Sequence, residues 1–180
     1  MSAQVLETGR FRLRPLCRPD PADRTLYCAL YSSTAVMARI MPPLSPAAAE
    51  RLYARAIDWA RSDTPGHRFW IIDARDDDAP IGVAGYLRNG AEAEIGVLLV
   101  EPWWNRGVSS ETFVPLIAHG FERMGLSLIC AERPDDDHAR VIDRLLGRFG
   151  FVRAPERASA VGQCRWELPR SAWSTRRDGV

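Results

Sequence analysis

The sequence predicts a mixed α/β fold, and four stretches carry that prediction. Residues 95–100 form an apolar run with the length and the β-branched content of a buried strand. Apolar residues then recur at helical spacing over residues 112–124, which predicts a helix with one buried face. Before both, residues 67–73 and 81–87 are two further strand-like segments, separated by an Asp-rich turn.

The chain is long enough for one domain with a sizeable core. Its 180 residues are 46% hydrophobic and 26% charged, which is ordinary for a globular protein. We find no repeat, low-complexity stretch or internal linker. We therefore predict a single domain over residues 1–180, with its core at about 5–169 and a loose tail at 170–180.

The charge pattern excludes several functions. The net charge of +1 gives no sign of a nucleic-acid partner. All 24 basic residues are arginine, so mechanisms that need a lysine, such as a Walker P-loop or a Schiff base, are excluded. We expect no metal site, because the triple Asp at 76–78 reads as a solvated turn without a second ligand set.

The cysteines and the N-terminus indicate an intracellular setting. The four cysteines lack CxxC spacing and lie among apolar residues, so we predict reduced and mostly buried thiols. Residues 1–16 hold no apolar signal core, and no run approaches the length of a membrane span. We expect a cytoplasmic protein with no membrane association.

The remaining elements follow in order along the first half of the chain. Residues 7–16 alternate arginines with apolar residues, which predicts a first strand with one wet face. One or two short helices are predicted over 21–39. Ser45 and Pro46 are the N-cap and first residue of a helix that ends near Arg61. The Asn-Gly pair at 89–90 makes a hairpin turn into the strand at 95–100.

The second half continues the alternation of strands and helices. Residues 126–132 form a strand, and a turn at 134–137 leads into a helix over 140–148. A strand begins at Phe151, and residues 163–168 form the last strand.

The loop before the central helix has a composition that suits an anion. The first N–H groups of a helix lack partners and lie at the positive end of its dipole. Gly107 allows close approach, Ser109 and Ser110 offer hydroxyls, and Arg106 brings a full charge. The alternative is an ordinary capped helix, with Ser109 or Ser110 as N-cap and Glu111 in the first turn.

Three segments resemble one known family. Residues 104–109 (WNRGVS) resemble the acetyl-CoA-binding motif Gln/Arg-x-x-Gly-x-Gly/Ala of the GNAT N-acetyltransferases, with Gly107 matching and Trp104 and Ser109 differing. Residues 6–16 (LETGRFRLRPL) resemble the opening of the branch that acetylates ribosomal-protein N-termini. The Gly-Phe pair at 150–151 resembles the ending of the same family.

The resemblance implies a twisted mixed sheet, flanked by helices, that splays between the fourth and fifth strands. The pantetheine arm of acetyl-CoA would lie along the fourth strand, and its pyrophosphate on the following loop. The cofactor-binding residues implied are Gly96, Val97, Leu98, Leu99, Asn105, Arg106, Gly107, Val108, Ser109 and Ser110.

The implied reaction is direct transfer of acetyl from the thioester to a primary amine. The backbone N–H near Leu98 would polarise the thioester carbonyl. Glu94 is the leading candidate base, and Glu92 points to the same face. The alternative for Glu94 is that it only orders a neighbouring strand. No Tyr follows Tyr86 to serve as general acid, and we interpret His67, His119 and His138 as structural.

Two functions stay open at this point. The first is an acetyl-CoA-dependent N-acetyltransferase whose acceptor is a protein N-terminus, a polyamine-like metabolite or an aminoglycoside-like drug. The second is a non-catalytic acyl-CoA-binding regulatory module on the same fold. A homodimer is conceivable, with Trp166 or Trp173 either at its interface or inside the fold.

Overall fold

The computed structural model describes residues 4–38, 40–76 and 78–177. Eight strands form one sheet in the order β1-β2-β3-β4-β5-β6-β8-β7. The strands are β1 (Leu6–Glu7), β2 (Phe11–Pro15), β3 (Arg68–Ala74), β4 (Ala79–Asn89), β5 (Glu92–Leu99), β6 (Leu128–Pro134), β7 (Val152–Arg153) and β8 (Gln163–Pro169). The α-helices are α1 (Pro21–Ser32), α2 (Thr34–Met37), α3 (Pro46–Ala60), α4 (Val108–Glu122), α5 (Ala139–Gly147) and α6 (Arg170–Arg177).

The mixed α/β prediction is confirmed, with one strand more than expected at the N-terminus. The stretch predicted as one first strand is a hairpin of β1 and β2. Thr8 closes its turn, because the Thr8 hydroxyl and the Thr8 N–H both donate to the Phe11 carbonyl. The fourth and fifth predicted strands are consequently β5 and β6.

The predicted loose tail is wrong for residues 170–177, which form α6. The Arg170 guanidinium donates to the Leu126 carbonyl at 2.9 Å, and the ring of Trp173 lies 5.1 Å from that of Phe121. Trp166 is buried, and its indole N–H donates to Asp143 at 2.7 Å. Both C-terminal tryptophans therefore have partners within the fold.

Two apolar clusters lie on opposite faces of the sheet. On one face, α4 packs Phe113, Leu116 and Phe121 against alternate residues of β5, including Ile95. On the other face, α1 and α3 cover β3 and β4. The side-chain alternation of β5 thus divides it between the two clusters. No helix in the described ranges is long and apolar enough to cross a bilayer.

The prediction of a splay between the fourth and fifth strands is confirmed. β5 and β6 run parallel but pair only through Glu92–Leu128, Ala93–Ile129 and Glu94–Cys130. Beyond Glu94, β5 continues without β6 beside it, while β6 stays paired with β8 along its whole length. One edge of β5 is therefore open in the middle of the sheet.

A buried ion cluster fastens the N-terminal strands to α1. Arg14 of β2 donates to Asp73 at 2.5 Å and to Asp23 of α1 at 2.8 Å. The side chains of these two aspartates are only 4% and 5% exposed. Hydrogen bonds from Arg14 to Asp73 and then to Asp23 raise the pKa of its guanidinium above the ordinary value. Arg14 therefore keeps a full charge between two buried carboxylates.

The cysteine prediction is confirmed in part. All four thiols are free. Cys130 and Cys164 are buried, but Cys17 is exposed and Cys28 lies between these extremes. Asp78, on the Asp-rich turn, faces Arg12 at 3.4 Å, and Asp77 lies outside the described residues.

Candidate functional site

The open edge of β5 is defined by the direction of its backbone groups. The Val100 N–H donates to the Ile81 carbonyl on the β4 side. Backbone groups in a strand alternate in direction, so Leu98 also directs its N–H toward β4. The edge beside the splay instead carries the N–H and C=O groups of Val97 and Leu99. The prediction that the Leu98 N–H polarises the thioester carbonyl is therefore wrong, because this N–H is directed toward β4. The N–H groups at the open edge are those of Val97 and Leu99.

A cavity of about 520 Å³ occupies the splay. We call it the cleft. Its walls are α2, the splayed parts of β5 and β6, the start of α4, and α5. The predicted cofactor residues that line it are Gly96, Val97, Leu98, Leu99, Asn105 and Ser109. Its volume is that of a typical small-molecule site.

The loop below the cleft, residues 104–107, leads into an uncapped helix. Asn105 and Gly107 both have a positive φ, of 58° and 75°. Gly107 is the N-cap of α4, and no side chain caps that helix. The Glu111 N–H donates to the Gly107 carbonyl at 3.1 Å, which starts the helical ladder. Ser109 and Ser110 lie inside the helix, so neither is the N-cap that the capped-helix alternative requires.

This arrangement favours the anion interpretation of the loop over the capped-helix alternative. The first N–H groups of α4, those of Val108, Ser109 and Ser110, have no capping side chain to accept them. Such groups, with the helix dipole behind them, form a natural site for phosphate oxygens. Val108 itself is buried and anchors the first turn.

A brace from the N-terminal hairpin holds this loop. The Glu111 carboxylate accepts from the Thr8 hydroxyl at 2.7 Å, and from the Arg10 N–H at 2.8 Å and guanidinium at 2.7 Å. Arg10 also donates to the Arg106 carbonyl at 3.1 Å. Burial raises the pKa of Glu111, but the hydrogen bonds from Thr8 and Arg10 outweigh it, so its pKa lies below the ordinary value. The Arg106 guanidinium stacks over Trp103 at 5.2 Å.

Glu94 lies at the inner end of the splay, where it forms an ion pair. Its Oε1 accepts from Arg133 Nη1 at 2.9 Å, and the two side chains are 36% and 23% exposed. Oε2 of Glu94 has no hydrogen-bond partner within the part of the chain that the structure describes. A Cβ built on Gly96 would lie 3.7 Å from Arg133 Nη2, so this guanidinium reaches across the open part of the splay.

Glu92 and Glu94 form ion pairs with different arginines. Its carboxylate is held by Arg157 at 2.7 Å and by Arg165 at 3.2 Å. This separate network ties β5 to β8 and to the 3₁₀ turn Pro155–Arg157. Glu92 is therefore assigned to the fold.

Sequence reasoning missed one group that contacts Glu94, the guanidinium of Arg133. Arg133 lines the cleft, and its charge acts on Tyr31 of α1. Burial raises the pKa of Tyr31, while a hydrogen bond with Tyr27 and then the charge of Arg133 oppose that rise. Tyr31 stacks on Tyr27 with ring centroids 4.6 Å apart. Arg133 escapes local pattern because its contact with Glu94 depends on the pairing of β5 with β6.

Tyr86 and His67 make hydrogen bonds that serve the fold, whereas His138 and His119 have other surroundings. Tyr86 is fully buried and donates to the Leu116 carbonyl at 2.9 Å. His67 Nδ1 accepts the Arg88 N–H at 2.9 Å. His138 borders the cleft at the start of α5. His119 is buried, and its Nδ1 has no hydrogen-bond partner among the described residues. Among the residues described, no cluster of His, Cys, Asp and Glu has a metal-binding arrangement.

Comparison with solved structures supports this fold. An acetyltransferase from Agrobacterium tumefaciens str. C58 superposes with a TM-score of 0.77 at 22% identity, covering 94% of this chain and 96% of that one. RimL, a ribosomal-protein alpha-N-acetyltransferase solved in complex with coenzyme A, gives a TM-score of 0.72 at 14% identity, covering 94% and 99%. At these identities the likeness establishes the fold alone.

Sequence comparison goes further. The chain is 34% identical over 87 residues to the uncharacterized N-acetyltransferase YoaA of Bacillus subtilis (strain 168). This match covers 47% of this chain and 48% of YoaA, so it spans about half of that curated relative. The acetyltransferase (GNAT) domain model matches residues 10–168, which include the open edge of β5 and the uncapped start of α4. The chain therefore belongs to the GNAT acetyltransferase domain family.

Proposed function

We propose that this protein is an acetyl-CoA-dependent N-acetyltransferase that transfers acetyl directly to a primary amine, with a protein N-terminus as the favoured acceptor. The observation that carries the proposal is the continuity of one cleft. Its lining extends from the open edge of β5 to Ser109 at the uncapped start of α4. An extended thioester arm and an attached pyrophosphate need these two features side by side.

The open edge of β5 supplies the backbone partners. Val97 and Leu99 present N–H and C=O groups there, and an extended ligand can bond to them as an added strand would. The Leu99 carbonyl already accepts from the Trp104 indole at 2.9 Å, which leaves Val97 and the Leu99 N–H for a ligand. One of these N–H groups is the donor we propose for the thioester oxygen.

The loop supplies the anion partners. Residues 104–107 and the first turn of α4 offer backbone N–H groups, the Ser109 and Ser110 hydroxyls, and the charge of Arg106. The brace through Glu111 fixes this geometry before a ligand arrives, which lowers the ordering cost of binding.

Glu94 is our proposed base. An α-amine with a pKa of about 8 is partly neutral near pH 7, whereas a lysine side chain near 10.4 is mostly protonated. A carboxylate at the inner end of the splay can take the proton that the attacking amine must lose, directly or through water. The pairing of Glu94 with Arg133 leaves Oε2 available for this role.

The same ion pair favours the second candidate, a non-catalytic acyl-CoA-binding module. If Arg133 holds Glu94 permanently, the carboxylate joins β5 to β6 and no base is present. Such a module would bind acetyl-CoA and consume none of it.

Thioester consumption over an amine panel tests the proposal. The panel pairs a peptide carrying a free α-amine with the same peptide N-terminally blocked, and adds a polyamine and a peptide whose only amine is a lysine side chain. We expect release of free CoA thiol with the unblocked peptide only. Binding of acetyl-CoA without turnover of any amine would favour the non-catalytic module, and turnover with the polyamine alone would reassign the acceptor.

Replacing Glu94 with glutamine is expected to lower kcat roughly 100-fold or more, because general bases contribute about 10²–10⁴-fold. The KM for acetyl-CoA should stay unchanged. Steady-state kinetics across pH measure this. The activity of the variant should recover in part at high pH, because the amine is then already neutral and needs no base. Glu92→Gln is the matched control on the same strand face, since its partners are Arg157 and Arg165. Equal activities of the two variants would remove Glu94 from the mechanism.

A further inference from the structure

A second cavity, of about 740 Å³, lies at the other end of α4. It is bounded by the α3–β3 loop, the β4–β5 turn and the last turns of α4. Within the described ranges it shares no lining residue with the cleft. We call it the basal cavity, and nothing in the proposed acetyl transfer uses it.

Arginines dominate the charge of the basal cavity. Arg68, Arg88 and Arg123 all line it, against one carboxylate, that of Asp63. Arg68 is buried and pairs with Asp63 at 3.0 Å. Arg68 Nη1 donates to the carbonyls of Ser62 and His67 in the α3–β3 loop. Arg68 therefore stabilises the fold, and it adds only its positive charge to the cavity.

The other two arginines are not neutralised. The Arg88 guanidinium donates to the Gly90 carbonyl at 2.7 Å. Neither Arg88 nor Arg123 forms an ion pair with any carboxylate in the described part of the chain. Two guanidinium groups without counter-charges thus border one concave surface.

His119 also lines this cavity and is buried. It is 7% exposed, and its buried Nδ1 has no hydrogen-bond partner among the described residues. The ring packs edge-on against Trp70, with centroids 5.1 Å apart. Burial lowers the pKa of His119, and the charges of Arg123 and Arg68 lower it further. A buried, unpaired nitrogen is costly unless something else binds it.

Three of the last four carbonyls of α4 accept hydrogen bonds. The His119 carbonyl accepts from the Arg123 and Met124 N–H groups, and the Gly120 carbonyl accepts from Leu126. The Phe121 carbonyl accepts from the Arg170 guanidinium. These hydrogen bonds weaken the negative end of the helix dipole beside the arginine side chains.

We propose that the basal cavity binds a small metabolite carrying a phosphate group or several carboxylates, with Arg88 and Arg123 as its charge partners and His119 as a hydrogen-bond donor. The volume falls within the range of small-molecule sites. Two unpaired guanidinium groups match a multiply charged anion better than a monovalent one. This site is independent of the proposed acetyl transfer.

Histidine titration by NMR tests the proposal on the full chain. The sequence has three histidines, so the variants His67→Gln and His138→Gln assign the remaining resonance to His119. Inorganic phosphate and succinate are titrated separately, which distinguishes phosphate from carboxylate chemistry. Each is compared with sodium chloride at matched ionic strength. We expect at least one of the two to raise the pKa of His119 in a saturable way, because a bound anion favours the imidazolium.

Two variants tie the response to the cavity. Arg88→Gln and Arg123→Gln should each weaken the anion about tenfold, through loss of one charge-assisted hydrogen bond. Arg140→Gln, at an exposed arginine of α5, is the control and should not change it. Thermal unfolding checks that the variants are folded. A His119 shift no larger than in chloride, or one that survives both substitutions together, would overturn the proposal.

Discussion

Replacing Gly107 with tryptophan is expected to weaken acetyl-CoA binding roughly 100-fold or more, which corresponds to losing one or two charge-assisted hydrogen bonds. Gly107 has a φ of 75°, and a Cβ there would lie 3.5 Å from Arg10 Nη2. A bulky side chain must displace Arg10, which holds the Arg106 carbonyl. The loop would lose its brace and the close approach that phosphate oxygens need.

Gly125 provides a matched control for the backbone strain. Its φ is 68°, and no atom lies within 4 Å of a Cβ built there. A side chain in this left-handed region costs about 1–2 kcal/mol at either glycine. Gly125→Trp should therefore show a similar loss of stability to chemical denaturation, but unchanged acetyl-CoA binding by titration calorimetry. If Gly107→Trp binds as well as Gly125→Trp, the loop at the start of α4 is not the pyrophosphate site.

The largest loss of stability is expected from Arg14→Met, at about 3–5 kcal/mol in the free energy of unfolding. The substitution leaves the carboxylates of Asp23 and Asp73 buried without their cation. Arg14 itself is 38% exposed, so water can relieve part of the penalty, and we expect the lower half of that range. Urea unfolding followed by circular dichroism measures the change.

Arg12→Met is the matched control two residues earlier on β2. Arg12 faces Glu7 and Asp78 at 3.4 Å, and all three side chains are 39% exposed or more. Exposed pairs of this kind contribute about 0–1 kcal/mol. Adding Asp23→Asn and Asp73→Asn to Arg14→Met should recover stability, because the uncompensated charges are removed. Equal losses from the Arg14 and Arg12 variants would show that solvent already compensates the two aspartates.

Local pattern was sufficient for much of the fold and for the position of the site. The strand at residues 95–100 and the helix after it were predicted from hydrophobic spacing, which depends on neighbours a few residues apart. The loop between them is also predicted from local sequence, through its glycine, serines and arginine. Its exact cap was not, because Ser109 and Ser110 have the higher N-cap preference while Gly107 has the required backbone.

Features that depend on register or on distant contacts could not be predicted in this way. The direction of the Leu98 N–H follows from how β5 pairs with β4, which no local pattern reveals. Arg133 meets Glu94 across 39 residues of sequence, through the parallel pairing of β5 and β6. The helix at 170–177 was missed because its contacts to Leu126 and Phe121 are tertiary.

The open edge of β5 also bears on solubility. Unpaired strand edges are templates for pairing with other chains, and they are a common origin of aggregation. Here the exposed groups lie inside a wedge whose far walls are β6 and α5, so a strand from a second molecule would have to enter between them. The Trp104 indole covers the Leu99 carbonyl, and the Arg133 guanidinium places a charge in the opening. The gap in the sheet can therefore admit a thin, flexible ligand while it resists the addition of a whole β-strand.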